Sequence, residues 1–188
     1  RGVAPFVPHW IAENCIQCNQ CSFVCPHAAI RTKLIDRNLL NNKPEQFTTL
    51  KALGKDGAEH DYKVQVFIED CIGCMNCVNE CPKGALAAKT LEEEREIGEN
   101  ANQVFFSSLP EDVLSVQVRE HSVKGSQFKQ PLLEFSGACA GCGETPYVRL
   151  ITQLYGNRMI VANATGCSSI WGATFPTIPY CKNKDGHG

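Results

Sequence analysis

The sequence predicts an α+β chain in two parts: a cysteine-rich part built by duplication over residues 1–112, and the opening of an α/β layer over residues 113–188. Two observations predict it. Four cysteines at one fixed spacing occur twice, each time behind an apolar segment and ahead of a short tail of small and apolar residues. Beyond Pro131 the pattern changes to helical periods separated by small-residue turns, which is how an α/β layer begins. A length of 188 residues allows one or two domains.

Pro5, Phe6, Pro8, His9 and Trp10 make an extended lead-in that ends in a strand. The first run is Cys15, Cys18, Cys21 and Cys25, closed by Pro26; the second is Cys71, Cys74, Cys77 and Cys81, closed by Pro82. Both read C-x2-C-x2-C-x3-C-P. This is the spacing of bacterial two-cluster ferredoxins, in which the fourth cysteine of each run ligates the other cluster. Closely spaced cysteines can wrap one cubane, the longer last step frees the fourth for a second site, and the proline ends any helical turn. One [4Fe–4S] cluster is therefore assigned to Cys15, Cys18, Cys21 and Cys81, and the other to Cys25, Cys71, Cys74 and Cys77. Zinc and disulfides compete for these residues, but four cysteines per run, twice, each ending in Cys-Pro, is not a zinc-ribbon spacing. Trp10-Ile11 before the first run matches Phe67-Ile68 before the second, and His27–Ile30 after it matches Lys83–Leu86. That is the internal twofold of a ferredoxin. Ile16 and Ile72 are expected to pack on the clusters and exclude water.

Residues Arg31 to Lys63 are longer than a minimal connection and rich in polar residues, with Pro44, Gly54 and Gly57. They read as an irregular surface insertion, either capping the cluster domain or simply solvated. Val64 to Ile68 reads as a strand. Thr90 to Ile97, with acids in its first turn, reads as a short helix, its charge a solvated face or a docking patch. Pro110-Glu111-Asp112 marks a turn and a domain boundary near Asp112. Val113 to Val118 reads as a strand and Lys124-Gly125-Ser126 as a loop.

Thr145 followed by Pro146 reads as a helix N-cap with proline at the first helical position. Val148, Ile151, Leu154 and Tyr155 then recur at helical spacing before Gly156. Arg158 to Asn163 reads as a short apolar strand, and Ala164 to Ile170 as a turn opening another helix. Cys139 and Cys142 form a lone C-x2-C that fits zinc, a redox dithiol or half a cluster site. Cys167 is a third thiol nearby in sequence. Cys181 has no helper spacing and reads as a free thiol.

The net charge of −2, with both signs spread throughout, gives no sign of a nucleic-acid surface. No apolar stretch approaches transmembrane length, and no signal-peptide pattern opens the chain. Twelve cysteines in such a chain, suited to a reducing compartment, point to the cytoplasm. Arg1 at the start and a loop-like Asn183–Gly188 at the end suggest a piece of a longer chain.

The duplicated runs, the stretch Ser136–Tyr147, the stretch Ala164–Gly172 and the segment Asn183–Gly188 together resemble the pyruvate:ferredoxin oxidoreductases, or pyruvate synthases. The resemblance implies oxidative decarboxylation of pyruvate with coenzyme A, carbon chemistry on thiamine diphosphate with Mg2+, and single electrons leaving through three [4Fe–4S] clusters. It further implies that residues 113–188 begin a thiamine-diphosphate-binding domain. By the same resemblance Cys139, Cys142 and Cys167 hold the third cluster, its fourth ligand lying beyond Gly188. Glu144 and Cys167 then contact the thiamine cofactor. Ferredoxin or flavodoxin, the remaining domains of the enzyme and a homodimeric partner are the implied partners. Rival readings are another 2-oxoacid oxidoreductase and a stand-alone dicluster carrier.

Overall fold

The computed structural model describes residues 1–54, 58–111 and 121–188. The strand expected at Val113–Val118 and the boundary near Asp112 lie outside those residues. The two halves of the duplication interlock. Strand β1 (Phe6–Trp10) precedes the first run, whose middle forms the single-turn helix α1 (Gln20–Phe23), and β2 (Ile30–Asp36) follows it. In the second half β4 (His60–Val66), α2 (Asn76–Asn79) and β5 (Leu86–Thr90) repeat that order. Each half lends a strand to the other. β1 pairs antiparallel with β5, in register from Phe6–Thr90 to Trp10–Leu86, and β2 pairs antiparallel with β4 from Ile30–Val66 to Asp36–His60.

The insertion is irregular and mostly exposed in its middle, residues 41–49, whereas composition predicts that for all of it. It lengthens β2 and β4 into a seven-residue hairpin, and the short β3 (Leu50–Lys51) adds to the β4 edge. Composition hid this because polar side chains of β2 are buried. Thr32 donates to the Gln127 carbonyl at 3.2 Å. Lys33 Nζ donates to the carbonyls of Phe106 and Leu109 at 3.0 and 2.9 Å and pairs with Glu111 at 2.8 Å. With polar groups satisfied inside, the two-residue alternation that betrays a strand disappears.

Helix α3 (Leu91–Ile97) forms where expected. Thr90 caps it, accepting from Glu93 N, while the Glu93 side chain takes the Thr90 N–H, a complete capping box. A second helix, α4 (Glu99–Ser108), follows at once. Gly98, at φ +94°, closes α3 and opens α4 in a left-handed conformation that costs other residues strain. α4 buries Phe106, whose ring meets Phe67 edge-on at 6.1 Å. Val7, Ile30, Leu34, Tyr62, Val66 and Leu86 join them in one core beneath the cysteine loops.

The rest of the chain wraps this core. Lys124-Gly125-Ser126, expected as a loop, lies in the one-turn helix α5 (Val123–Ser126), because Ser122 caps it by accepting from Gly125 N at 3.0 Å. α6 (Thr145–Tyr155) and α7 (Cys167–Ala173) follow. The expected strand at 158–163 does not form. A strand needs a neighbour for its N–H and C=O groups, and none lies beside this segment among the described residues; Ile160 is 98% exposed.

Candidate metal centres

Both cysteine loops use the same backbone device. Gln17 and Gly73, two residues after the first cysteine of each run, have φ of +56° and +70°, and each N–H donates to that cysteine's Sγ at 3.4 Å. Asn19 and Met75 repeat the left-handed turn at φ +63° and +60°, as do Ala28 and Gly84 past the fourth cysteines at +55° and +58°. Such turns are rare for residues with a β-carbon and persist only where the surroundings hold them. At position 73 glycine is required twice over, since a β-carbon would stand 2.9 Å from the Phe6 carbonyl oxygen. Ala85 N also donates to Cys81 Sγ at 3.1 Å. These N–H groups point at sulfur, where they favour the thiolate.

The loops bring together the cysteines that spacing assigned to common clusters. Cys15, Cys18, Cys21 and Cys81 line one small cavity, walled by Trp10, Ile16, Tyr62 and Leu86. Ile16 lines it as expected while remaining 45% exposed. Tyr62 is fully buried there and donates its hydroxyl to Asn19 Oδ1 at 2.7 Å. The Gln17 side chain fixes the insertion over the first loop: its Nε2 donates to the Lys51 carbonyl at 2.8 Å and its Oε1 accepts from Leu53 N at 2.9 Å. The second group is recognised by charge. Cys77 senses Cys25, Cys21, Cys71 and Cys74 as like charges, and Cys71 senses Cys25 and Cys74. Cys25 thus stands with the second run, and Cys21 is near enough to Cys77 to set the two groups side by side.

Burial first, and then mutual repulsion, raises the thiol pKa of Cys21 and Cys77. Burial pushes Cys71 up to about 12, with neighbouring thiolates adding to it and the Gly73 N–H opposing it. Converging buried thiols with backbone donors aimed at them are costly as free thiolates and suit a resident cationic core. Among the described residues no three His, Cys, Asp or Glu side chains stand close enough to hold a single metal ion. The donor set therefore fits a cubane, whose four irons keep the thiolates apart, better than one zinc ion.

Cys139 and Cys142 sit on a turn closed by Cys142 N to the Cys139 carbonyl at 3.0 Å. The loop rests on the second group: a β-carbon on Gly141 would contact Cys74 Cβ at 3.9 Å. His27, two residues past Cys25, reaches the Cys139 carbonyl at 3.4 Å, and Phe135 N donates to the His27 carbonyl at 2.9 Å. Thr145 is the first helical residue of α6 and Glu144 its N-cap, so the expected cap is shifted by one. Burial of Cys142 would raise its pKa, yet the N–H groups of Thr145 and Glu144 outweigh it and lower the value. Glu144 Oε2 accepts from Trp171 Nε1 at 3.2 Å, tying this turn to α7. Cys167 opens α7 and is exposed, as is Cys139; with Cys142 they do not converge on a single ion. Cys181 lies apart, near Pro131, its thiol pushed up to about 11 by burial.

Arg149, fully buried on α6, reaches the first loop and was not foreseen. An arginine at an otherwise ordinary helical position carries no mark in sequence.

A pseudo-twofold pair of cysteine loops with exchanged fourth cysteines defines a dicluster ferredoxin-like domain. In agreement, residues 14–86 match the family model described as a 4Fe-4S dicluster domain. Over its full length the chain is similar to one segment of pyruvate:ferredoxin and pyruvate-flavodoxin oxidoreductases. It is 56% identical to the pyruvate:ferredoxin oxidoreductase of Moorella thermoacetica and 51% identical to the pyruvate-flavodoxin oxidoreductase of Enterobacter agglomerans, with all of the chain covered and 16% of each relative. It is also 49% identical to the pyruvate dehydrogenase [NADP(+)] of Cryptosporidium parvum, covering 10% of that protein. The chain thus spans a minor part of the relatives it matches. Among the described residues no helix is long and apolar enough to cross a membrane.

Proposed function

We propose that this chain is the electron-transfer segment of a pyruvate:ferredoxin or pyruvate-flavodoxin oxidoreductase, with [4Fe–4S] clusters at Cys15/Cys18/Cys21/Cys81 and at Cys25/Cys71/Cys74/Cys77. A third cluster is proposed at Cys139, Cys142 and Cys167, and residues 113–188 as the start of a thiamine-diphosphate domain. The single observation carrying this reading is full-length similarity at 56% identity to such an enzyme. When bound, the clusters accept and release single electrons at low potential, and thiamine diphosphate with Mg2+ supplies carbanion chemistry on a 2-oxoacid.

Contacts among the loops support an arrangement of these sites in a row. The Cys139–Cys142 turn rests on Cys74 of the second group, and Cys77 of that group adjoins Cys21 of the first. Adjoining sites suit directed electron transfer outward to ferredoxin or flavodoxin. Trp10, Tyr62 and Leu86 keep water from the first group, and the N–H groups of Gln17, Gly73 and Ala85 stabilise negative charge on sulfur. By the resemblance, Glu144, held by Trp171, and Cys167 are proposed to contact the thiamine cofactor. Ile160, Ile170, Phe175 and Ile178 are exposed apolar side chains within one stretch. They fit burial against the remaining domains of a longer enzyme, itself read as a cytoplasmic homodimer.

The test is anaerobic assay of the full-length protein with pyruvate, coenzyme A and an oxidised ferredoxin or flavodoxin. Carrier reduction that requires both pyruvate and coenzyme A supports the reading. Reduction with a different 2-oxoacid alone would reassign the substrate, and iron-free protein would end it.

A further inference from the structure

We infer that Arg149 is the buried counter-cation of the two proposed dicluster sites and raises their reduction potentials. The inference rests on the proposed [4Fe–4S] assignment. Arg149 projects from α6, outside the duplicated segment, yet is only 1% exposed. One Nη donates to the Phe23 carbonyl at 2.8 Å and to Gln127 Oε1 at 3.0 Å, while Nε is buried with no partner among the described residues. Phe23 lies midway between Cys21 and Cys25, so the guanidinium is fixed against the short segment that serves both groups. Ser22 on that segment donates to the same Gln127 oxygen at 3.0 Å.

Both of these Nη acceptors are neutral, and a buried guanidinium without an anion is costly. The charged groups felt by Arg149 are Cys25, then Arg31, then Cys21. Arg31 already pairs with Glu134, which leaves the two cysteine groups as the source of negative charge. Burial lowers the Arg149 pKa to about 10, so it stays a cation at neutral pH. Four thiolates around a cubane core carry net negative charge, and reduction adds one more. A fixed buried cation favours the reduced state, since its attraction acts through low dielectric.

Redox titrations followed by EPR on cluster-loaded, anaerobically purified full-length R149M, R149K and unaltered protein test this. R149M should lower the midpoint potential of at least one of the two sites by about 59 mV or more, a tenfold change in a one-electron couple. R149K should restore most of the difference. Unmoved potentials in R149M with full iron content would overturn the inference. Where R149M fails to hold its clusters, R149K decides: cluster retention supports a need for charge, and loss in both variants overturns it. Iron-free unaltered protein would instead sink the cluster assignment, before any variant is compared.

Discussion

Cys81→Ala alters the second cysteine run, yet it is expected to damage the site behind the first. Cys81 lines the same cavity as Cys15, Cys18 and Cys21, and like them acts on the Cys21 thiol as a neighbouring charge. Cys25 acts in the same way on Cys71 and Cys77. Each four-iron site thus loses one ligand when its crossed cysteine is removed, and the other site keeps all of its ligands. The magnitude follows as iron stoichiometry: loss of one site removes about four irons and loss of both about eight. Paired substitutions make the outcome independent of how completely one site empties. Cys15→Ala with Cys81→Ala strikes one site and should cost no more than about four irons; Cys71→Ala with Cys81→Ala strikes both and should cost about eight. The assay is iron and sulfide analysis of anaerobically purified full-length protein, with EPR of the reduced state counting the remaining clusters. If the Cys71/Cys81 pair lost four irons and the Cys15/Cys81 pair lost eight, each run would serve its own cluster and the exchange would be refuted.

Thr90→Ala should lower stability by about 1 kcal/mol, the usual worth of an N-cap, in a denaturant titration. The Thr90 N–H and hydroxyl hold the Glu93 carboxyl below its ordinary pKa, so this contribution is present above the ordinary glutamate range and fades as pH falls through the lowered value. Thr90→Ala keeps the N–H and removes only the hydroxyl's share, so it should reduce that acid limb in part, and an unchanged slope would show that the hydroxyl adds nothing to it. Phe106→Ala empties a fully buried ring site against Phe67 and should cost about 3–5 kcal/mol in the same titration; a loss under about 1 kcal/mol would show that the core closes without it. Cys181→Ser should leave iron content unchanged, and Cys181 itself should resist alkylation at neutral pH because burial holds its thiol near 11. Lost iron in that variant would make Cys181 a ligand.

The cysteine loops were legible because their chemistry fixes their spacing: a cluster accepts thiolates from few directions, and the chain reaches them only by repeating the same turns. The twofold in φ at Gln17 and Gly73, at Asn19 and Met75, and at Ala28 and Gly84 is that constraint written in backbone. Helix α3 was legible for a similar reason, since a capping box is local. The long β2–β4 hairpin was not. Its signal is alternation, and buried Thr32 and Lys33 interrupt it by finding partners far along the chain, at Gln127 and in α4. α4 also eluded the reading: Val104 on it is 72% exposed, which blurs an apolar face defined by Phe106. At Arg158–Asn163 apolar content alone suggested a strand, but content says nothing of whether a neighbouring strand is there to pair. Arg149 was invisible because its meaning depends on tertiary placement, more than a hundred residues from the loop it contacts.

The most direct measurement is iron-edge anomalous diffraction from crystals of the anaerobically purified full-length protein. Two compact iron groups are expected in this segment, one bounded by Cys15, Cys18, Cys21 and Cys81 and the other by Cys25, Cys71, Cys74 and Cys77. A single zinc ion at either position, or an iron group bounded by all four cysteines of one run, would contradict it.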